Sequence, residues 1–326
     1  MKLKIGVLGA GHLGKIHLKC IQMSEKLELI GFFDPDNANA LKVSETFNTR
    51  AFESAEALLA AVEAVVIVTP TIFHFEMAAL AAQKGKHIFI EKPLTHTVNE
   101  AENLLLLVKK YGVTVQVGHV ERFNPAFLAL GDFKMSPVFI EAHRLATFNP
   151  RGTDVSVILD LMIHDIDMVL HLVDSEVKDI HASGVAVLSE TPDIANARIE
   201  FENGCVANLT ASRMSLKQMR KVRLFQRDAY ISLDFLEKNA QIIRLLDKNE
   251  SNTEGGMMEL ETARGPKMID VQMPTPVPVN AILMELETFA DSIQNQKPTV
   301  VTIEDGYKAL KIAHRIIEAI GDSTIS

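Results

Sequence analysis

The chain has 326 residues, of which 47% are hydrophobic and 23% are charged, and it carries a formal net charge of −9 at neutral pH. A chain of this length is expected to fold as two domains, and its acidic balance argues against a nucleic-acid-binding protein, which needs a basic surface. Two cysteines, Cys20 and Cys205, are too few for a disulfide framework. No apolar run approaches the roughly 18 residues of a membrane span. We therefore expect a cytoplasmic protein.

Strand-like and helix-like segments alternate over the first 120 residues. The predicted strands cover residues 5–8, 27–33, 50–52, 64–69, 87–90 and 113–117. The predicted helices cover residues 15–23, 37–47, 54–59, 73–83 and 98–110. Continuous apolar strands separated by helices are typical of a parallel sheet covered on both faces, which right-handed crossovers make doubly wound. The sequence therefore predicts an α/β Rossmann domain over residues 1–122.

A glycine-rich turn follows the first predicted strand and precedes a helix, which is the context in which G-x-G-x-x-G binds a dinucleotide. Gly9 allows the tight turn, Gly11 lets the backbone approach a pyrophosphate, and Gly14 allows close packing of helix on strand. The amino end of the helix also attracts phosphate groups. We predict that a dinucleotide contacts the whole turn, which consists of Gly9, Ala10, Gly11, His12, Leu13 and Gly14.

An acidic residue, Asp34, stands at the end of the second predicted strand, 20 residues beyond Gly14. A carboxylate at this position accepts hydrogen bonds from both hydroxyls of an adenosine ribose and repels a 2′-phosphate. The sequence thus favours NAD over NADP as cofactor. The alternative is that Asp34, followed by Pro35 and Asp36, only forms a turn or caps the next helix.

The carboxyl ends of the predicted parallel strands also carry residues 69–74, 91–93 and 118–122, and ligands of open α/β sheets bind at these ends. Among them, Lys92 can donate to a substrate hydroxyl, stabilise a developing alkoxide and take part in proton transfer. A cis bond before Pro93 would fix the turn that aims this lysine. The alternative is an ordinary lysine in solvent at the end of a strand.

Beyond Asn124 the pattern changes, because one helix over residues 157–174 is followed by several strands without helices between them. These strands are predicted at residues 177–188, 194–201, 205–212, 219–226 and 229–235. Such an order indicates an α+β domain, residues 123–326, with a large, mainly antiparallel open sheet. Residues 247–267 are predicted to form a loop or hairpin tip, and two helices, 281–294 and 304–319, close the chain. The closing helix, residues 304–320, is predicted to pack back on the Rossmann domain.

The helix over residues 157–174 is apolar nearly all round, yet Asp160, His164, Asp167 and His171 recur at helical spacing and form a polar stripe. Burying such groups costs free energy unless they are paired or used. Asp160 and His164 can present a carboxylate and an imidazole to one ligand, and histidine suits proton transfer at neutral pH. The alternatives are a satisfied helix face and, less favoured, a metal site; we predict no metal, because carboxylate–imidazole pairs commonly lack one.

These motifs resemble the Gfo/Idh/MocA family of nicotinamide-dependent sugar oxidoreductases over nearly the whole chain. The similar segments are GAGHLG at 9–14, TPTIFH at 69–74, EKP at 91–93, DLMIHDID at 160–167 and TIEDGYKALKI at 302–312. The resemblance implies that Lys92 and His164 are the catalytic pair and that Asp160 orients the substrate. It implies a cofactor lining made of Thr69, Pro70, His74, Glu91 and Lys92, to which we add the strand-end residues Thr71 and His119. Met162 stands where the family pattern has a glycine, which narrows the space beside His164.

Within the family, GHVERFNPA at 118–126 together with LDLMIHDID at 159–167 is similar to members that act on a nucleotide-linked amino sugar. This similarity implies that Arg122 and Asn124 lie near the mouth of the active site. It also implies that Arg144 or Arg151 meets a diphosphate by forked hydrogen bonds. For each arginine the alternative is a salt bridge at a domain interface.

Together with the motifs, the family resemblance implies NAD-dependent oxidation of a sugar hydroxyl on a nucleotide-linked amino sugar. Two alternatives stay open at this point: an NAD-dependent glycoside hydrolase that uses transient oxidation, and a non-catalytic sensor of NAD or sugar. The open sheet of the second domain predicts a homodimer or homotetramer. Nucleic acid and membrane are not expected partners.

Overall fold

The computed structural model describes residues 1–149, 155–247, 258–262 and 265–323. Contacts between residues divide the chain into two compact units. Unit 1 comprises Met1–Phe123 and Asn280–Lys311, and unit 2 comprises Asn124–Val279 and Ile312–Ser326. The first of the two closing helices thus groups with unit 1, whereas the predicted boundaries place it in the second domain. In the described ranges, no helix is both long and apolar enough to cross a membrane.

Unit 1 contains a five-stranded sheet in the order β2-β1-β3-β4-β5, and every neighbouring pair is parallel. The strands are β1 Leu3–Leu8, β2 Leu27–Phe33, β3 Ala64–Ile67, β4 His87–Glu91 and β5 Val115–Gly118. All four residues of β3 are fully buried, as expected for a strand covered on both faces. The predicted Rossmann sheet is confirmed, and the glycine-rich turn follows β1 where the strand order reverses, the usual place for a ligand.

The helices of unit 1 lie between or after these strands. They are α1 His12–Met23, α2 Asn37–Phe47, α3 Ala55–Ala61, α4 His74–Gln83, α5 Val98–Tyr111, α8 Ala281–Gln294 and the start of α9, Ile303–Ser323. Side chains define several helix ends: Asp36 and Ser54 cap α2 and α3, and Thr97 forms a capping box with Glu100. Two short 3₁₀ helices, Thr71–Phe73 and Val120–Phe123, follow β3 and β5.

The described residues of unit 2 form a nine-stranded sheet in the order β13-β14-β12-β11-β10-β6-β9-β8-β7, and among these strands only the β6–β9 pair is parallel. The strands are β6 Phe139–Leu145, β7 Val177–Val185, β8 Ile194–Phe201, β9 Val206–Ser212, β10 Met219–Phe225, β11 Ala229–Asp234, β12 Asn239–Asp247, β13 Met258–Thr262 and β14 Gly265–Gln272. The helices of this unit include α6 Pro125–Leu128 and α7 Ile163–Leu172, and α7 packs against β6 and β9. The predicted open, mainly antiparallel sheet is confirmed.

Some elements differ from the sequence prediction. β6 and β12 were not predicted, because charged side chains such as Glu141 and Arg244 lower the apolar density of their sequences. Residues 247–267 were predicted as a loop or hairpin tip, and β13 pairs with β14 there as a hairpin, whereas residues 248–257 and 263–264 lie outside the described ranges. The predicted strand at 50–52 is only a single bridge between Phe32 and Ala51.

Candidate active site

The glycine-rich turn is built so that two of its glycines cannot carry a side chain. Gly9 has φ +96°, and a Cβ there would lie 2.7 Å from the carbonyl oxygen of Val68. A Cβ on Gly14 would clash with the carbonyl oxygen of Gly9. Gly11 is different, because it is exposed and a Cβ would meet nothing within 4 Å. Gly14 thus allows α1 to pack close to β1, while Gly11 leaves open space above the turn.

The amino end of α1 has no side-chain cap among the described residues, and its first turn contains no acidic residue. Such an end offers backbone N–H groups and a positive dipole end to an anion. Together with the open space over Gly11, these features fit the pyrophosphate of a dinucleotide. The predicted contacts of Ala10, His12 and Leu13 lie at the same turn.

Asp34, at the end of β2, is partly exposed and binds the backbone on both sides. Its Oδ2 accepts a hydrogen bond from Ala10 N at 2.7 Å, and its Oδ1 accepts one from Asp36 N at 3.0 Å. Asp34 therefore does form a turn, and it also ties β2 to the glycine-rich turn. Each carboxylate oxygen retains a lone pair for a ribose hydroxyl, and this role stays a prediction.

His74 begins α4 and connects the ends of β3 and β4. Its Nδ1 lies 2.8 Å from the carbonyl oxygen of Pro93, and its Nε2 lies 3.0 Å from that of Thr69. Burial lowers the pKa of His74, against the opposing effect of the two carbonyls, so the neutral ring donates to one of them. The Thr69 hydroxyl is buried and has no hydrogen-bond partner in the described part of the chain. An unpaired buried hydroxyl fits a ligand group that completes it.

Glu91 ends β4 and is buried, and Lys92 follows it half-buried. Lys92 N donates a hydrogen bond to Glu91 Oε2 at 3.3 Å, and the Lys92–Pro93 bond is cis, as predicted. Burial acts to raise the pKa of Glu91, but the hydrogen bond and charge of His17 and the charge of Lys92 outweigh it and lower the pKa. The Glu91 carboxylate is therefore ionised. Sequence reasoning missed His17, whose signal was a histidine on the buried face of α1.

The residues that follow β5, predicted to lie near the cofactor and the mouth of the active site, are buried. His119 and Arg122 are both buried. Asn124 caps α6 by accepting from Ala126 N at 3.0 Å, and its Nδ2 donates to the carbonyl oxygen of Phe235 at 3.0 Å. Both ends of the Asn124 amide thus stabilise unit 2. Contacts of these residues with cofactor or substrate stay predictions.

The predicted helix over residues 157–174 starts with a π-helical turn, Ile158–Met162, and continues as α7. π-Helical turns are rare in proteins, and many of those that occur lie at functional sites. Asp160 and His164 are both half-buried, one before and one after the join. The residues of the predicted polar stripe differ in exposure, because Asp167 is buried while His171 is exposed. Met162 is fully buried in the core of unit 2.

Arg144 projects from β6 and forms a forked ion pair with Asp165 on α7. Its Nε and Nη2 lie 3.0 Å and 2.9 Å from the two carboxylate oxygens, and both residues are at most 3% exposed. The fork that was predicted to meet a diphosphate is thus occupied by a carboxylate within unit 2. The other candidate, Arg151, lies outside the described residues.

The parallel sheet with its glycine-rich turn, and the helix of unit 2 that carries Asp160 and His164, are the features expected of a nicotinamide-dependent oxidoreductase. Two family models match the chain: an oxidoreductase family with an NAD-binding Rossmann fold over residues 3–119, and a Gfo/Idh/MocA C-terminal domain over residues 131–230. The chain belongs to the Gfo/Idh/MocA family of NAD-binding oxidoreductases.

Similar relatives include the UDP-N-acetylglucosamine 3-dehydrogenase of Acidithiobacillus ferrooxidans, which is 42% identical over 74% of this chain and 76% of its own. A solved structure of that enzyme has a TM-score of 0.87, with 34% identity over 99% of both chains. The scyllo-inositol 2-dehydrogenase (NAD(+)) of Bacillus subtilis is 30% identical over 66% of this chain and 68% of its own.

Proposed function

We propose that this oxidoreductase uses NAD to oxidise the 3-hydroxyl of UDP-N-acetylglucosamine. The carrying observation is the likeness to the Acidithiobacillus enzyme, which extends over 99% of both chains at a TM-score of 0.87. The proposal also rests on Lys92, Asp160 and His164, which supply the ammonium, carboxylate and imidazole that the reaction needs.

Each of these side chains has one role in the proposed reaction. His164 takes the proton of the 3-hydroxyl as a general base. Lys92 donates a hydrogen bond to the same oxygen and stabilises its developing negative charge. Asp160 accepts a hydrogen bond from a neighbouring group of the sugar and fixes the ring. Bound NAD supplies the hydride acceptor, so that the alcohol becomes a ketone.

The cofactor contacts are proposed for the carboxyl edge of the unit 1 sheet. The amino end of α1 and Gly11 hold the pyrophosphate, Asp34 binds the adenosine ribose, and the Thr69 hydroxyl completes the lining. Further proposed cofactor contacts are Gly9, Ala10, His12, Leu13, Gly14, Pro70, Thr71, His74, Glu91 and His119. Arg122, Asn124 and Arg144 stay proposed substrate neighbours, although the bonds of Asn124 and Arg144 within unit 2 also give them a structural role.

The test replaces the two proposed proton-handling residues separately, as His164→Asn and Lys92→Met. We expect each change to lower kcat on UDP-N-acetylglucosamine by on the order of 10²-fold or more. The matched control is His171→Asn, since His171 lies exposed on the same helix and should keep kcat within about twofold. NADH formation is measured together with the mass of the sugar product. Turnover within a few-fold of wild type in either proposed variant would contradict the role proposed for that residue.

We also propose that copies of the chain associate through the open sheet of unit 2. The register of β12, β13 and β14 places Leu245, Leu260 and Val271 on one face, and each is more than 40% exposed. Exposed apolar side chains on one face of a sheet are typical of an interface between subunits. Light scattering during gel filtration tests this, with Leu245→Glu expected to shift the mass toward one chain. A cytoplasmic location also stays a prediction.

A further inference from the structure

One hydrogen bond connects the helix of the glycine-rich turn to the strand that ends before Lys92. His17 lies fully buried in α1, and its Nε2 is 2.7 Å from Glu91 Oε1. Its ring packs against Phe89 of the same strand, with ring centroids 5.5 Å apart. The imidazole is therefore held against β4 by both a polar and an aromatic contact.

The other oxygen of Glu91 is fixed from a second side. β4 and β5 pair so that Glu91 stands opposite Gly118, and a Cβ on that glycine would lie 2.9 Å from Glu91 Oε2. The carboxylate thus occupies space that only a glycine leaves. Lys92 N donates to the same Oε2 at 3.3 Å, so the carboxylate is in direct contact with the backbone at Lys92.

A second buried carboxyl group, Glu285 on α8, lies near this pair. Both of its oxygens lack a hydrogen-bond partner in the described part of the chain. Burial and the charge of Glu91 raise the pKa of Glu285 well above its usual value, and both effects favour its neutral form. Glu91 is therefore the charged carboxyl group at this place, and His17 is the residue that binds its Oε1.

We propose that His17 is a positioning residue for Lys92, acting through Glu91. The proposal rests on the catalytic function proposed for Lys92. Without His17, the buried Glu91 oxygen loses its donor and must move toward another partner or toward water. The turn at Lys92 moves with it, whereas the open space over Gly11 does not. Loss of His17 should therefore lower kcat far more than it weakens cofactor binding.

The experiment compares two substitutions at position 17. His17→Leu fills the space without a donor, and we expect kcat to fall by about tenfold or more, since small misplacements of reacting groups have such effects. His17→Gln keeps an N–H donor near the position of Nε2 and should restore kcat to within about threefold of wild type. The Kd of NADH, measured by fluorescence without turnover, should stay within about threefold in both variants.

The matched control is His87→Leu, at the opposite end of the same strand. His87 is half-buried, and its Nδ1 accepts a hydrogen bond from Thr114 N at 3.0 Å. This substitution should lower Tm without changing kcat. The same His17→Leu change in a Lys92→Met background should cause no further loss of kcat, because its effect passes through Lys92.

Two results would overturn the proposal. One is a folded His17→Leu protein with kcat within about twofold of wild type. The other is a loss of kcat in His17→Leu that His17→Gln does not restore, together with a rise in the Kd of NADH of the same size. If His17→Leu does not fold, Glu91→Gln takes its place, and unchanged kcat in that variant would overturn the proposal. Full activity of Lys92→Met would instead refute the proposed function of the lysine.

Discussion

The two units hold a candidate catalytic residue in a similar way but with different chemistry. In unit 1, Glu91 precedes Lys92 and is bound by His17 through one hydrogen bond. In unit 2, Asp165 follows His164 and is bound by Arg144 through two. In both cases a buried carboxylate beside the candidate catalytic residue is bound by a side chain from another element. The two partners differ in charge and in number of hydrogen bonds. The Arg144 guanidinium is always charged and binds Asp165 through two hydrogen bonds, whereas the His17 imidazole makes one hydrogen bond to Glu91.

Breaking the Arg144–Asp165 pair should have the largest effect on stability. Arg144→Met leaves a buried carboxylate without its fork, and we expect the free energy of unfolding to fall by about 3–5 kcal/mol. The matched control is Arg198→Met, which breaks a partly exposed pair with Glu200 on one strand and should cost less than about 1 kcal/mol. Urea denaturation measures both. Equal losses in the two variants would show that burial of the pair does not matter.

The glycine-rich turn offers a second test, in which a substitution at Gly14 should lower stability and one at Gly11 should weaken NADH binding. Gly14→Ala places a Cβ against the Gly9 carbonyl and forces α1 away, which should cost roughly 1–3 kcal/mol of stability. Gly11→Ala meets open space, so Tm should change little while the Kd of NADH rises. Thermal unfolding and NADH fluorescence separate the two effects. An unchanged Kd of NADH in Gly11→Ala would show that the pyrophosphate does not bind over Gly11.

The smallest effect is expected at Glu285 and depends on pH. Its folded pKa is raised, so its contribution to stability is fully present below its unfolded pKa and is lost as pH rises toward the folded value. Glu285→Gln is neutral at every pH, and a gain of about 1 kcal/mol would raise Tm by roughly 2–4 °C. The gain should be larger at pH 8 than at pH 5. The control is Glu287→Gln, two residues further along α8. A Tm gain of Glu285→Gln that is the same at both pH values would contradict the raised pKa of Glu285.

Much of the fold was predictable because local patterns and tertiary packing agree. The predicted bounds of β2, α2, β8 and α8 coincide with the observed ones. β6 was missed because one of its faces is polar, and with it the partner of Asp165. The π-helical turn before His164 has no signature in apolar periodicity, and the burial of Arg122 and Asn124 depends on distant residues.

The site followed the same rule, since motifs fixed by backbone geometry could be predicted and long-range partners could not. The glycine-rich turn and the cis bond at Pro93 arise from neighbouring residues. His17 and Glu91 are 74 positions apart, and only the parallel order of β1, β3 and β4 brings their elements together. A single sequence gives the candidate reactive groups but not the side chains that hold them.

The most direct test of the central claim is to incubate the purified protein with NAD and UDP-N-acetylglucosamine. NADH is followed by absorbance and the sugar nucleotide by mass spectrometry. The proposed function predicts equal amounts of NADH and of a keto sugar nucleotide lighter by two hydrogens, and neither product with His164→Asn. Binding of both ligands without NADH, or unchanged NADH formation by the His164 variant, would contradict it.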